Sequence, residues 1–476
     1  MKDIITYHKW DKKSINYFLS TCNENLNIEN GQIYMPFFSL YFHIHNTKNA
    51  NKIIDLNRRY FINSINNIIK DSTHNSNKEI ECFVYDKKHN VVFEKEIFAK
   101  CIPILDPIHT MMNNYSLKQS NNLPSNYTYN THSKINNMDN SCYMEVLFSY
   151  ITSELTINNI LPSFPIYYGS INGISKDYKI DITEEYKEFS DERWFHKYID
   201  EIFSIDLYIS DDDEYCEDGE DGEDGEDGGE SINNSDEFVS NFKDMPVQYI
   251  FIEKLEGTLE DFLIENINTE LIRSCLYQVT FALLYLQKYY KFTHNDLHIN
   301  NIMYKKTDKT YLYYKFNNKY FRVPTHGYLF SIIDYGRCIF EYKNKVYYND
   351  VFSKYGEAEG QYTYPIPNID LYKSKKYEEK IYPNYSFDMC RLSTTILEEL
   401  DNLNIHNSEL RDFLNSIVID CNNNNIYINK TENFDLYINI AKYACNGKPN
   451  VLILNDYFNK YTIKKKIFPL KNFYKC

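Results

Sequence analysis

The 476-residue chain predicts an α+β fold of two lobes, a β-rich first lobe and a mostly helical second one, with insertions in both. Three observations predict it. From Tyr60 to Ile102, runs of β-branched and aromatic residues alternate with turn residues, which is strand patterning. Two later stretches, Cys142 to Leu155 and Leu271 to Leu286, carry apolar residues at helical spacing. Between and after them, His294-Asn295-Asp296-Leu297-His298-Ile299-Asn300-Asn301 and then Asp334-Tyr335-Gly336 set acids and an amide on loops flanked by apolar strands.

Residues 1–59 mix aromatic and polar side chains, with helical stretches at Lys13 to Leu19 and Ala50 to Leu56, and read as an extension packed on the first lobe. That lobe spans 60–252. Its strands are Tyr60 to Ile65, Ile80 to Tyr85 and, after a turn at 86–90, Val91 to Ile102. Lys100 sits in the last among apolar neighbours, where a cation needs an anionic partner. The Pro-, Asn- and Ser-rich stretch 103–140 reads as a loop insertion. The helix Cys142 to Leu155 follows, with apolar residues at 144, 147, 148, 151 and 155. Its two acids, Glu145 and Glu154, fall on opposite faces at about 100° per residue, so only one can face a cleft.

A strand at Pro162 to Tyr168 leads to a second insertion, 171–245. Its centre, 211–230, repeats Glu-Asp-Gly; like charges repel and glycine offers no core, so it is expected to be disordered, an acidic surface suited to a basic partner. The strand Pro246 to Ile252 then runs through the linker Glu253-Lys254-Leu255-Glu256 into the second lobe, 253–476. There the helix Leu271 to Leu286 has a core stripe, and 310–323 reads as a hairpin turning at Asn317-Asn318. Phe330 to Ile333 is a buried-strand run that delivers Asp334. From Ser386 a helix opens, and the rest of the lobe is expected to be helical, then Asn- and Lys-rich.

Net charge is −16, with a pI near 5.3. Binding to nucleic-acid phosphates is driven by clustered Lys and Arg, so a nucleic-acid partner is not expected. No apolar run reaches the length of a membrane-spanning helix. Eleven cysteines occur without a CxxC pair, which excludes a zinc ribbon or a regular disulfide framework and suits a reducing cytoplasm.

Phosphoryl transfer asks a protein mainly to position charge. One carboxylate orients and deprotonates the attacking hydroxyl, while an amide oxygen and a second carboxylate hold Mg²⁺ on the phosphates. Asp296, Asn301 and Asp334 supply that set in that order.

His294-Asn295-Asp296-Leu297 with Asn301, followed by Asp334-Tyr335-Gly336, resembles the protein kinase superfamily signatures H-R-D-L-x-x-x-N and D-F-G. Within that superfamily it is similar to the divergent kinase-like proteins of large DNA viruses. The resemblance covers roughly 60–420 and implies a two-lobed protein-kinase-like fold, with ATP and Mg²⁺ as cofactors. By it, Ile97-Phe98-Ala99-Lys100 stands for V-A-I-K and puts Lys100 on the α/β-phosphates. Glu145 or Glu154 orients that lysine, with Glu145 ranked first, and the main chain from Glu253 to Leu255 meets the adenine edge. Asp296 is the base, Asn301 and Asp334 are metal ligands, and Asp388 anchors the loop backbone. The implied reaction moves the γ-phosphoryl of ATP to a protein Ser/Thr hydroxyl. His298 and the missing Ala-Pro-Glu triplet point instead to a small-molecule alcohol. The glycine-free turn between Ile65 and Ile80 points to a third reading, an inactive pseudokinase acting as a binding or scaffold protein. For a viral chain the setting would be host cytoplasm or virion.

Overall fold

A computed structural model of the chain describes residues 5–38, 53–115, 123–125, 132–208, 236–265, 268–353, 356–363, 381–428, 435–464 and 473–476. At the start, β1 (Tyr7–Lys9) is followed by α1 (Lys12–Asn25), capped by Asp11, whose carboxylate accepts from the amides of Lys13 and Ser14. The helix buries Ile15, Phe18 and Cys22. Next come β2 (Ile28–Gln32) and β3 (Ile54–Leu56), the latter paired antiparallel with β1. A meander of β4 (Tyr60–Asp71), β5 (Lys78–Asp86) and β6 (Val91–Pro103) carries the β-branched and aromatic runs.

Two short helices, α2 (Pro107–Met111) and α3 (Ser133–Asn136), precede α4 (Ser141–Ile157), which Asn140 caps. Then β7 (Tyr167–Ser175) enters the second insertion, where β8 (Tyr178–Asp181), α5 (Thr183–Ser190), α6 (Arg193–Tyr198), β9 (Phe203–Tyr208) and β10 (Glu237–Phe242) fold before β11 (Met245–Glu253) returns. The main sheet is antiparallel in the order β2-β7-β11-β6-β5-β4, and the insertion builds a separate sheet, β8-β10-β9. α4 is buried nearly all round, as a helix enclosed by protein must be.

The second lobe starts with β12 (Gly257–Thr258), α7 (Leu259–Glu265) and α8 (Thr269–Tyr290). Almost every residue of α8 is buried, and it stops where Lys291 turns left-handed at φ 51°. Around it lie β13 (Ile302–Lys306), the hairpin β14 (Tyr311–Phe316) and β15 (Lys319–Pro324), and β16 (Tyr328–Ile332). Among the described residues the lobe closes with α9 (Phe387–Asn402), α10 (Ser408–Val418), α11 (Asp435–Tyr443) and the short α12 (Pro449–Leu452).

Several expectations need correction. Ala50 to Leu56 is not a helix: Ile54–Leu56 is a strand, because its three residues are buried against β1, while 50–52 lie outside the described residues. The expected N-terminal extension is woven into the lobe, since β2 supplies the sixth strand of the main sheet. Within 103–140, α2 and α3 replace part of the expected loop. The strand expected at Pro162 begins at Tyr167 and runs to Ser175, so the insertion starts later than 171. The acidic repeat 211–230 lies outside the described residues.

Candidate active site

The two-residue period of β6 decides which side chains meet the cleft. Ile97 and Ala99 are buried on one face, whereas Phe98 and Lys100 point the other way and line a cavity of about 350 Å³. Their β11 partners Ile252 and Ile250 line the same cavity. Lys100 Nζ lies 2.7 Å from Glu145 Oε1 and 3.2 Å from Asp334 Oδ2. One ammonium thus joins the sheet, α4 and the loop after β16.

Burial works against each charge in this cluster, and the partners decide the outcome. It pushes the Glu145 carboxyl up to about 7, with Lys100 opposing. Burial would also neutralise Lys100, but the charges of Asp334 and Glu145 outweigh it and hold the ammonium more firmly protonated than an ordinary lysine. For Asp334, burial is outweighed by Lys100, His294 and the Gly336 amide, which hold its carboxyl down at about 2. Asp334 itself has φ 62°, a left-handed conformation that Asp and Asn tolerate, and its Oδ1 accepts the Gly336 amide at 3.2 Å.

The loop before it is pinned from below. Asp388, fully buried at the start of α9, accepts the amides of His294 at 3.0 and 3.1 Å and of Asn295 at 3.0 Å. The His294 ring contacts the Ile333 carbonyl at 2.8 Å. Asn295 is left-handed at φ 67°; its Nδ2 donates to the Arg337 carbonyl at 2.8 Å, and its Oδ1 accepts the Tyr362 hydroxyl at 2.8 Å. At the position where the H-R-D signature has arginine, a residue suited to positive φ ties the loop to the segment after Gly336.

Asn301 donates Nδ2 to the Asp296 carbonyl at 2.8 Å and approaches His298 Nε2 at 3.0 Å. Its amide nitrogen is thereby committed, and its Oδ1 meets no donor among the described residues. Burial lowers the His298 pKa, which suits an imidazole that accepts. Asp296 Oδ1 accepts the Tyr437 hydroxyl at 2.6 Å.

At the linker, the Glu253 carboxylate is taken by Lys305 at 2.8 and 2.9 Å, and its amide donates to the Ile166 carbonyl at 2.8 Å. That removes the Glu253 N–H as an adenine donor. Lys254 and Leu255 remain as cavity-lining positions whose main-chain groups bond no other described residue. Glu154 stays out of the cluster: it bonds Asn158, a turn further along the helix, and Glu145 is the acid that meets Lys100.

The glycine-free turn is held by side chains. Asn77 Oδ1 accepts the Cys101 amide at 2.8 Å, and Ser76 Oγ accepts the Lys179 amide at 2.8 Å. The inserted sheet therefore braces the turn above the cavity. Among the described residues no cluster of three His, Cys, Asp or Glu side chains could hold a metal by itself, and no helix is long and apolar enough to cross a membrane.

This strand order, with a lysine on the third meander strand, a partner acid on α4 and an acid after the loop, decides the architecture. The fold is protein-kinase-like. No protein-family model matches the chain. The chain is similar to serine/threonine-protein kinase haspin of Mus musculus, 32% identical over 108 residues, or 23% of this chain and 14% of that one. Haspin of Bos taurus is 40% identical over 63 residues, 13% of this chain and 8% of that one. The uncharacterized protein 098R of Invertebrate iridescent virus 6 is 41% identical over 71 residues, 14% of this chain and 12% of that one. The matches thus span less than a sixth of the length of these relatives. Among solved structures, a ROP18 kinase domain in complex with AMP-PNP and sucrose aligns over 96% of this chain and 95% of its own, at 7% identity and a TM-score of 0.30.

Sequence reasoning missed Tyr437, Arg337 and Tyr362. Tyr437 and Tyr362 reach the His294–Asn301 loop from distant segments that no local pattern marked, and Arg337, directly after Gly336, lies in a motif that assigns it no role.

Proposed function

We propose that the chain is an ATP- and Mg²⁺-dependent phosphotransferase acting on Ser/Thr hydroxyls of protein substrates. The observation that carries this reading is Lys100, shared between Glu145 and Asp334 at the wall of the cavity. Such a lysine is pre-charged and aimed to bind phosphate oxygens. Asp334 and Asn301 offer hard oxygen donors; Mg²⁺ takes one or two such ligands together with phosphates, so the donor set fits that ion. When bound there, Mg²⁺ supplies charge neutralisation on the phosphates.

Asp296 orients the acceptor hydroxyl and takes its proton. The acceptor oxygen bonds to the γ-phosphorus as the bond from phosphorus to the β–γ bridging oxygen breaks, and ADP leaves. Phe98, Ile250, Ile252 and Met303 give a base an apolar slot, with Lys254 and Leu255 offering main-chain groups at its edge. The Ser/Thr assignment is supported by the names of the haspin relatives. His298 in the catalytic loop favours a second acceptor class, a small-molecule alcohol.

The first test is thermal shift with MgATP, on wild type beside Asp334→Asn. At a hundred times its Kd a ligand stabilises by about 2.7 kcal/mol, a shift of a few degrees. The expected result is a Mg²⁺-dependent shift in the wild type and none in the variant. No shift at millimolar MgATP would overturn the nucleotide site and leave the scaffold reading. Transfer of labelled phosphate to protein mixtures or to alcohols then separates the two acceptor classes.

A further inference from the structure

Asp296 is held on one oxygen and open on the other. Its Oδ1 accepts the Tyr437 hydroxyl at 2.6 Å and lies 3.7 Å from Arg337 Nη1, while no described residue donates to Oδ2. Tyr437 is clamped: the guanidinium of Arg337 stands 5.3 Å from its ring centroid and that of Arg391 5.1 Å. Arg337 is drawn in turn to Glu357.

The element carrying the tyrosine matters as much. α11 packs on α9, and α9 supplies Asp388 to the amides of His294 and Asn295. One helix pair therefore holds the catalytic loop by its main chain and by its reactive side chain.

We propose that Tyr437 is a positioning residue for Asp296, its hydroxyl fixing the carboxylate so that Oδ2 faces the acceptor hydroxyl. This rests on the phosphotransferase reading above. A hydroxyl on Asp296 could instead occupy the acceptor's place as a plug. Two features oppose that. The ring is gripped by two cations and borne on a helix rather than a loop, and the bond uses one carboxylate oxygen while sparing the other. Burial pushes the Tyr437 hydroxyl up, with Arg391 opposing, so it keeps the proton it donates.

The test compares wild type, Tyr437→Phe, Asp296→Asn and the double variant in steady-state phosphotransfer, with MgATP thermal shift run on each. General-base contributions are typically about 10²–10⁴-fold, and losing the residue that aims the base is expected to lower kcat by about 10-fold or more. The KM for MgATP and the MgATP shift should stay within about twofold and one degree. Because Tyr437 acts through Asp296, its replacement should have no further effect in the Asp296→Asn background, a non-additivity that a merely structural role would not produce. Arg391→Met, which loosens the clamp and keeps the hydroxyl, should give an intermediate loss and serves if Tyr437→Phe folds poorly.

Full kcat in an active Tyr437→Phe overturns the positioning role alone. A faster variant shows a plug. Equal losses of melting temperature, MgATP affinity and kcat show a purely structural residue. A wild type without turnover on any acceptor overturns the phosphotransferase reading and this role with it.

Discussion

Lys100→Met removes the cation that lets Glu145 carry charge inside the protein, and the cost can be worked out against pH. The Glu145 side chain is 6% exposed, and burial raises its carboxyl to about 7 even with Lys100 at 2.7 Å. In the unfolded chain a glutamate titrates near 4.3. A carboxyl whose folded pKa is raised makes the fold lose stability as pH climbs from the unfolded value to the folded one, so in the wild type this loss is complete a little above pH 7.

Without Lys100 the folded pKa rises further, and the loss continues to higher pH. Each pH unit over which the variant keeps its proton and the wild type does not is worth about 1.4 kcal/mol. Between pH 6 and pH 9 the gap between the two proteins should therefore widen by about 2 kcal/mol. Asp334 loses the same cation, so its carboxyl, held near 2 in the wild type chiefly by Lys100, also rises in the variant, with His294 and the Gly336 amide still holding it down. It is also 41% exposed, and solvent screens what it loses. The assay is urea unfolding of both proteins at pH 6, 7.5 and 9, with m-values compared. A gap that is the same at all three pH values would refute the reasoning, because it would mean Glu145 is not the group that Lys100 supports.

Two further outcomes follow from the same packing. Asp388→Asn keeps the shape but replaces one carboxylate oxygen by an NH₂ facing backbone amides, leaving a buried N–H unpaired; the expected cost is about 1–3 kcal/mol, read as a lower urea midpoint. Glu154→Gln keeps the shape of the Asn158 contact, lies outside the Lys100 cluster, and should change stability by less than about 0.5 kcal/mol while leaving the MgATP shift intact, whereas Glu145→Gln should reduce that shift.

The sequence by itself determined the α+β fold class, the main strands and the polar residues that the His294–Asn301 loop carries, because those features are local. Apolar neighbours in 91–102 marked Lys100 as a cation in need of an anionic partner, and the spacing from Asp296 to Asn301 and the strand before Asp334 set three polar groups on loops beside apolar supports. Helical period also showed that Glu145 and Glu154 could not both face the cleft, but it could not choose between them. The tertiary structure chose Glu145, because the rotation of α4 about its axis is set by what it packs against. Ile54–Leu56 went the same way: its apolar residues suit a helix or a strand equally, and the presence of β1 settled it. The bracing of a glycine-free turn by Lys179, and the approach of Tyr437, Arg337 and Tyr362 to the loop, depend on segments far away in the chain. Side chains brought together only by the packing of α9 on α11, or of an inserted sheet on a turn, leave no period or spacing to read, so the surroundings of Asp296 were decided by the fold alone.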